Sequence, residues 1–414
     1  EGFWIVLGQA MVVLASLVGV RILTGLLQPA AYGELALGMT IATLANEILF
    51  GPLGNGVTRF YAPAAEKGQL RAYLDGSRGL VWQASAAMAL LMCVAGAGLW
   101  VAGRAQWLPL CVAGFVFAVL TGCDSVLNGI QNAARQRSIV ALHQGMAAWL
   151  RCLLAFGLIL WLGAGSAVAM AAYALATVVV LVSQLLFFRR VARGRTAAAG
   201  DAHAWRDRIL KYSWPFASWG IFTWAQPASA RWALGLFRPM GDSGVYAALF
   251  QMGAAPIAML TAMSVQLLAP IYYQRAGDAS DPLRNADVSR INLKLTGAAL
   301  GVTALGFLAA LFLHTYIFGF FVAKGYQSGS YLLPWVILAA GLFACGQVIS
   351  LNLMSQMKTQ TMVLARIVTA ILGVAFNFIG AYWYGIEGVV AANILFSLLY
   401  FLWMLAFLRD DGPR

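Results

Sequence analysis

Carboxylates are scarce in this chain. Its 414 residues carry 15 Asp and Glu against 27 Lys and Arg, and charged residues of both signs make up only 10%. Soluble globular domains carry about 25% charged residues, so a soluble protein is excluded. Histidine is equally thin, with three in the whole chain. The five cysteines, at positions 93, 111, 123, 152 and 345, all fall in apolar stretches. They show neither metal-ligand spacing nor the pairing pattern of an extracellular framework, and are read as packing residues. No metal site and no cofactor is expected.

What fills the chain instead is hydrocarbon: 61% of residues are hydrophobic and the mean hydropathy is +0.78. Twelve apolar stretches are long enough to cross about 30 Å of bilayer as helices. They lie near 4–27, 33–60, 79–102, 106–130, 138–162, 165–188, 211–236, 244–272, 290–314, 330–355, 361–384 and 386–408. Basic residues set the orientation. With the N-terminus inside, the outer loops hold only Arg104, Arg238 and Lys324, while the inner loops take most of the rest, Arg290, Lys294 and Arg366 included. That asymmetry puts both termini in the cytoplasm. The net charge of +12 then reports topology and contact with anionic membrane lipid, and nucleic acid is not an expected partner. The chain starts at Glu1 without Met, so a few preceding residues are expected. The first apolar run is too long for a cleavable signal peptide and lacks a small-residue cleavage site.

An internal repeat organises the chain. Arg21-Ile-Leu-Thr-Gly25-Leu26-Leu-Gln-Pro29 matches Arg231-Trp-Ala-Leu-Gly235-Leu236-Phe-Arg-Pro239 at identical spacing. Weaker echoes pair Gly33 with Gly244, Asp75 and Arg78 with Asp287 and Arg290, and Asn128 through Gln136 with Asn352 through Gln360. The expectation is an all-α polytopic membrane protein with two six-helix lobes, residues 1–188 and 211–414. A basic cytoplasmic linker, 189–210, joins them. An even number of spans per lobe gives both repeats the same orientation, so their axis should run near the membrane normal with a cavity between them.

Four cations fall within the spans: Arg21, Arg59, Arg151 and Arg231. Placing one there costs roughly 2.5–3.5 kcal/mol on insertion scales, and an intramembrane charge points to a functional site. Arg21 and Arg231 lie at like depth in the outer third, Arg151 near the middle and Arg59 at the inner mouth. Only Glu47 and Asp124 are buried acids, with Glu34 at the interface. Pairing of Arg151 with Glu47 or Asp124 would hold the first bundle together, yet two acids leave cations over. Those remaining either snorkel to the outer interface or bind an anion such as phosphate or pyrophosphate, which a guanidinium fork grips by paired hydrogen bonds.

Gly51-Pro52-Leu-Gly54-Asn-Gly56 should break the second span, and Pro227 and Pro256 should bend the seventh and eighth. These are read as hinges of gate helices or as simple kinks. Trp219 and Trp224 lie too deep for an interfacial belt; they stack on sugar rings or pack between helices. His143 and His314, at helix ends, are read as interfacial polar residues.

Arg21-x-x-Thr24-x-x-Leu27-x-Pro29-x-x-Tyr32-Gly33, followed by Gly54-Asn-Gly-Val-Thr-Arg59-Phe-Tyr61, resembles the start of bacterial polysaccharide flippases. These are the Wzx-type branch of the multidrug/oligosaccharidyl-lipid/polysaccharide (MOP) superfamily. The resemblance implies two lobes that move an undecaprenyl-pyrophosphate-linked oligosaccharide across the bacterial inner membrane by alternating access. It also implies a place beside other polysaccharide assembly proteins, for O-antigen, capsule or exopolysaccharide. A lipid II flippase of the superfamily would show fourteen spans, against twelve here.

Two other transporter classes compete. A multidrug or cation antiporter of the same superfamily would centre carboxylates in its first lobe, and only Glu47 and Asp124 leave that open. A major-facilitator transporter would carry Gly-x3-Asp-x-x-Gly-Arg-Arg between spans two and three, where this chain reads Ala65-Glu-Lys-Gly-Gln-Leu-Arg71. An enzyme is not expected, because no outer loop is large enough to hold catalytic groups; the longest covers about 315–329. A coupling ion, H+ or Na+, would bind at Glu47 or Asp124.

Overall fold

The computed structural model describes residues 2–192, 200–277, 281–356 and 359–409, and among them every regular element is helical. Twelve α-helices follow one another: α1 (Gly2–Leu26), α2 (Pro29–Ala45), α3 (Gly51–Glu66), α4 (Leu70–Val101), α5 (Leu108–Ala133), α6 (Arg137–Leu162), α7 (Ser166–Ala192), α8 (Ala202–Phe237), α9 (Met240–Ala276), α10 (Pro282–Phe321), α11 (Leu333–Ser355) and α12 (Thr359–Arg409). Ten helical segments are long and apolar enough to cross a membrane. The chain is a multi-pass membrane protein. The 36-residue α8, interrupted by polar and basic residues, falls outside those ten, and α12 counts once although it holds two spans.

The fold-back inside α12 follows from three glycines. Gly385 adopts φ +62° and ψ −133°, outside the helical region. Gly380 and Gly388 then pack so closely that a Cβ on either would strike the other's backbone. In a straight helix those residues would stand about 12 Å apart, so the chain reverses between them. Arg238 donates from Nε to the Ala381 carbonyl at 3.1 Å and from Nη2 to Tyr382 at 3.0 Å. It thereby caps the C-terminal end of the first arm, where free carbonyls and the helix dipole favour a cation.

The expected break at Gly51-Pro52 does not occur. The backbone widens instead into one π turn, Asn46–Phe50, and runs on as α3. Pro52 has no N–H for the Ile48 carbonyl and its ring would crowd that oxygen. Letting Gly51 N–H reach back five residues to the Asn46 carbonyl removes the conflict. Gly54 and Gly56 stay helical and serve close packing: Gly56 lies against Ser213 and the Ile209 carbonyl of α8. Pro227 and Pro256 sit inside α8 and α9, which continue through them. Helices also outrun the predicted spans. Arg290 and Lys294, assigned above to an inner loop, lie in α10, and Arg366 lies in α12. The loop expected over 315–329 is largely helical, through the end of α10 and a 3-10 segment at Lys324–Leu332. Polar helix ends project past the hydrocarbon, where hydropathy no longer marks them.

The chain divides into two compact units, residues 1–27 with 34–224, and residues 28–33 with 225–414. In the first unit α1 packs along α6 through small residues: Gly8 touches Ala141, Gly145 receives Met11, and Cys152 donates to the Ala15 carbonyl at 3.2 Å. Phe50, fully buried, fills the space over Gly122. In the second unit α11 lies against α9, α10 and α12. Cys345, Ile349 and Leu353 of α11 meet Met362, Tyr400, Phe401 and Met404 of α12 there. Of the expected linker, residues 193–199 lie outside the described residues. Exposed aromatics, Trp100, Trp161, Tyr316 and Trp383, gather at helix ends, the level of a membrane-interface belt.

The α11–α12 contact gives a packing prediction. A Cβ at Gly346 would lie 2.6 Å from the Tyr400 ring. Gly346→Leu should therefore lower stability by roughly 1–3 kcal/mol, read as a lower thermal midpoint of the detergent-solubilised protein; an unchanged midpoint would contradict the packing.

Candidate functional site

The intramembrane arginines separate into two kinds. Arg21, one turn before the end of α1, and Arg59 of α3 are exposed on the surface of the chain. Arg151 and Arg231 are half-buried, and each guanidinium carbon stands 5.1 Å from the centroid of a phenylalanine ring, Phe117 and Phe250 respectively. A cation over a ring face is held by the ring quadrupole, most strongly where water is excluded.

Arg151, in the middle of α6, belongs to a polar string inside the first unit. Its Nη2 donates to Thr177 Oγ1 at 3.4 Å, and Asp124 is the acid within its electrostatic reach. Asp124 accepts from Asn128 Nδ2 at 2.9 Å, and Asn128 in turn accepts from Gln184 Nε2 at 2.7 Å. Gln184 also reaches Gln131 at 2.6 Å. Asp124 is thus the electrostatic neighbour of Arg151. Glu47 is not: it lies exposed in the π turn and accepts from Thr223 Oγ1 at 3.1 Å. Glu34 accepts from Ser166 Oγ at 2.6 Å. His143, read above as interfacial, is buried in the helix packing, bonded to the Ile139 carbonyl at 2.8 Å and to Ser183 Oγ at 3.2 Å. His314 stays at a helix end, 3.2 Å from Ser330 Oγ.

Arg231 has a different setting. It projects from α8 toward Tyr246 and Phe250, which share one face of α9 at a spacing of four residues. Tyr32 is also within its electrostatic reach and meets the Tyr326 ring edge-on, centroids 5.9 Å apart. Among the described residues no carboxylate comes within salt-bridge distance of Arg231, and its Nε is buried without an acceptor. The sequence repeat therefore does not carry the burial with it: Arg21 is exposed where Arg231 is half-buried. The reason is visible in the flanking residues. In the register that pairs Gly33 with Gly244, Tyr246 and Phe250 correspond to Leu35 and Met39, so these two positions are not aromatic in the first half.

Trp224 donates its indole N–H to the Thr40 carbonyl at 2.9 Å and is half-buried against helix backbone, a packing role. The side chain of Trp219 lies outside the described residues. Sequence reading missed the uncharged amides. In the second unit Gln226 Nε2 donates to Asn393 Oδ1 at 3.0 Å. Asn377 Nδ2 donates to Ser229 Oγ at 2.9 Å, and Asn393 Nδ2 to Tyr246 at 3.2 Å. Arg366 is bonded to Gln347, Ser350 and Tyr400. A search for charges passes over Asn and Gln; a search for amides on apolar helices would have found them.

A family profile described as "Polysaccharide biosynthesis protein" matches residues 1–274. The chain belongs to that family. No curated sequence matches it. Among solved structures it is similar to an inward-facing multidrug resistance MATE family transporter of the MOP superfamily, with TM-score 0.67 and 18% identity over 97% of this chain and 95% of that one. It is also similar to the lipid II flippase MurJ in an inward closed conformation, with TM-score 0.72 and 14% identity over 99% and 88% of the two chains. A MOP superfamily transporter from Pyrococcus furiosus, whose binding pocket is described as reversed in polarity, gives TM-score 0.55 and 16% identity over 100% and 95%. The fold is that of MOP-superfamily transporters.

The Arg151 setting makes a prediction. Arg151→Leu leaves Asp124 without its cation and should destabilise the protein more than Arg151→Leu with Asp124→Asn. A double-mutant cycle on thermal unfolding should give a coupling of roughly 0.5–3 kcal/mol; strictly additive losses would show that the two do not interact.

Proposed function

We propose that this protein is a flippase for an anionic, isoprenoid-pyrophosphate-linked oligosaccharide, moving it from the cytoplasmic to the outer leaflet of the bacterial inner membrane by alternating access. Both termini then lie in the cytoplasm. The observation that carries the reading is Arg231, a half-buried guanidinium over a phenylalanine ring, with two tyrosines in electrostatic reach and, among the described residues, no carboxylate within salt-bridge distance. A cation-exporting antiporter needs the opposite polarity at its binding site. A guanidinium presents paired donors to two phosphate oxygens, and low surrounding dielectric strengthens the contact. The family description and the similarity to a lipid II flippase agree with a lipid-linked saccharide as cargo. Arg21 and Arg59 are exposed cations on α1 and α3 of the first unit.

Charge removal tests this. Arg231→Ala should abolish transport of lipid-linked oligosaccharide into the outer leaflet while leaving expression and folding near wild type. Arg231→Lys should restore it only partly, because a point charge does not reproduce a paired contact. Arg21→Ala should reduce transport as well. Wild-type transport by the Arg21→Ala/Arg231→Ala double variant would overturn the proposal.

Coupling belongs to the same proposal. Glu47 sits in the π turn, where the helix is wound differently from its surroundings, and its bond to Thr223 engages only part of the carboxylate. An acid in that position drives transport if its affinity for H+ or Na+ differs between conformations. In proteoliposomes, an imposed pH or sodium gradient should accelerate wild type and not Glu47→Gln. Equal, gradient-insensitive rates for both would assign Glu47 a structural role.

A further inference from the structure

Arg231 is not the only donor in its surroundings that lacks an acceptor. Tyr246 is buried at 4% exposure, and its hydroxyl has one partner, Asn393 Nδ2 at 3.2 Å. The direction of that bond is determined by the rest of the amide. Asn393 Nδ2 also donates to the Val389 carbonyl at 2.8 Å, and a carbonyl can only accept. Asn393 Oδ1 is engaged by Gln226 Nε2 at 3.0 Å. The atom facing Tyr246 is therefore the nitrogen, whose two protons are shared among Val389, Tyr246 and the Asn377 Oδ1 at 3.3 Å; an amide nitrogen cannot accept, so the tyrosine proton points elsewhere. Among the described residues no hydrogen bond is donated by the Tyr246 hydroxyl, and the buried Nε–H of Arg231, within electrostatic reach of it, has no acceptor. Two buried donors without acceptors are costly unless something with lone pairs meets them.

We propose that Tyr246 is a second anion-binding residue, donating its hydroxyl proton to the same phosphate group that Arg231 holds, with Asn393 and Gln226 as the residues that position it. This rests on the phosphate-binding reading of Arg231 given above. The relay runs in one direction: Gln226 orients the Asn393 amide, Asn393 turns its nitrogen and not its oxygen toward the tyrosine, and the O–H is left to turn toward the anion. Asn377 holds the base of the relay through its bonds to the Gln226 carbonyl at 3.2 Å and to Ser229. The design selects for acceptor-only groups. A phosphate oxygen satisfies both donors, whereas a cationic or donor-rich ligand leaves both unpaired.

The test uses the full chain purified in detergent, with inorganic pyrophosphate as the probe in calorimetric titration. Tyr246→Phe removes one oxygen and should weaken binding by roughly tenfold, the effect of losing a hydrogen bond to a charged group, with the thermal midpoint of the unliganded protein unchanged. Asn393→Leu should weaken binding by a smaller factor and add nothing when combined with Tyr246→Phe, because it acts only through the hydroxyl. It also supplies an independent reading if Tyr246→Phe folds poorly. Arg231→Ala should remove binding altogether. Wild-type affinity in Tyr246→Phe together with lost binding in Arg231→Ala would overturn the tyrosine assignment and leave the arginine site standing. Wild-type affinity in Arg231→Ala would overturn both.

Discussion

A guanidinium keeps its proton at every physiological pH, so inside hydrocarbon it has to be met by an acid, by hydrogen-bond acceptors or by water. The two half-buried arginines of this protein meet that demand differently. Arg151 has Asp124 in reach and Thr177 as an acceptor, and the remaining cost is spread over the amides of Asn128, Gln131 and Gln184. Arg231 has a phenylalanine face and two tyrosines, and no acid. The first has an acid in electrostatic reach, although Arg151 Nε, like Arg231 Nε, is buried without an acceptor. The second has no acid, and under the proposed function an anionic cargo takes that place.

The helices around these groups show the same accounting at the level of the backbone. With no water to take up a stray carbonyl, a proline inside a span must be absorbed by a change in winding, and the π turn ahead of Pro52 does that. Where the chain reverses within α12, Gly385 supplies the turn and the Arg238 guanidinium takes the two carbonyls exposed there. Small residues do the rest of the work, since close approach of helices in lipid depends on van der Waals packing.

Much of the fold was legible in the sequence, because hydropathy reports length and lysine and arginine report side. The all-helical architecture and the approximate positions of the spans followed from these two signals. Helix ends did not: α10 and α12 carry Arg290, Lys294 and Arg366 inside helices that continue beyond the apolar window. The glycine-proline run of the second span was recognised as unusual, but whether a helix breaks or rewinds depends on one hydrogen bond that composition does not show. At the site, the arginine repeat drew attention to Arg21 and Arg231 alike and not to their different burial, since spacing along one helix says nothing of which residues a neighbouring helix brings. Tyr246, Asn393 and Gln226 were invisible for a related reason: neutral amides and tyrosines are ordinary in membrane helices, and only their mutual bonding sets these apart.

The central claim is that the half-buried cation of α8 exists to hold a phosphate-bearing lipid. Native mass spectrometry of the protein released from its own cell membranes addresses it most directly, comparing wild type with Arg231→Ala. Wild type is expected to retain an isoprenoid pyrophosphate carrying sugar, and the variant to lose it. Retention of the same lipid by both, or of a cationic amphiphile by wild type, would contradict the claim.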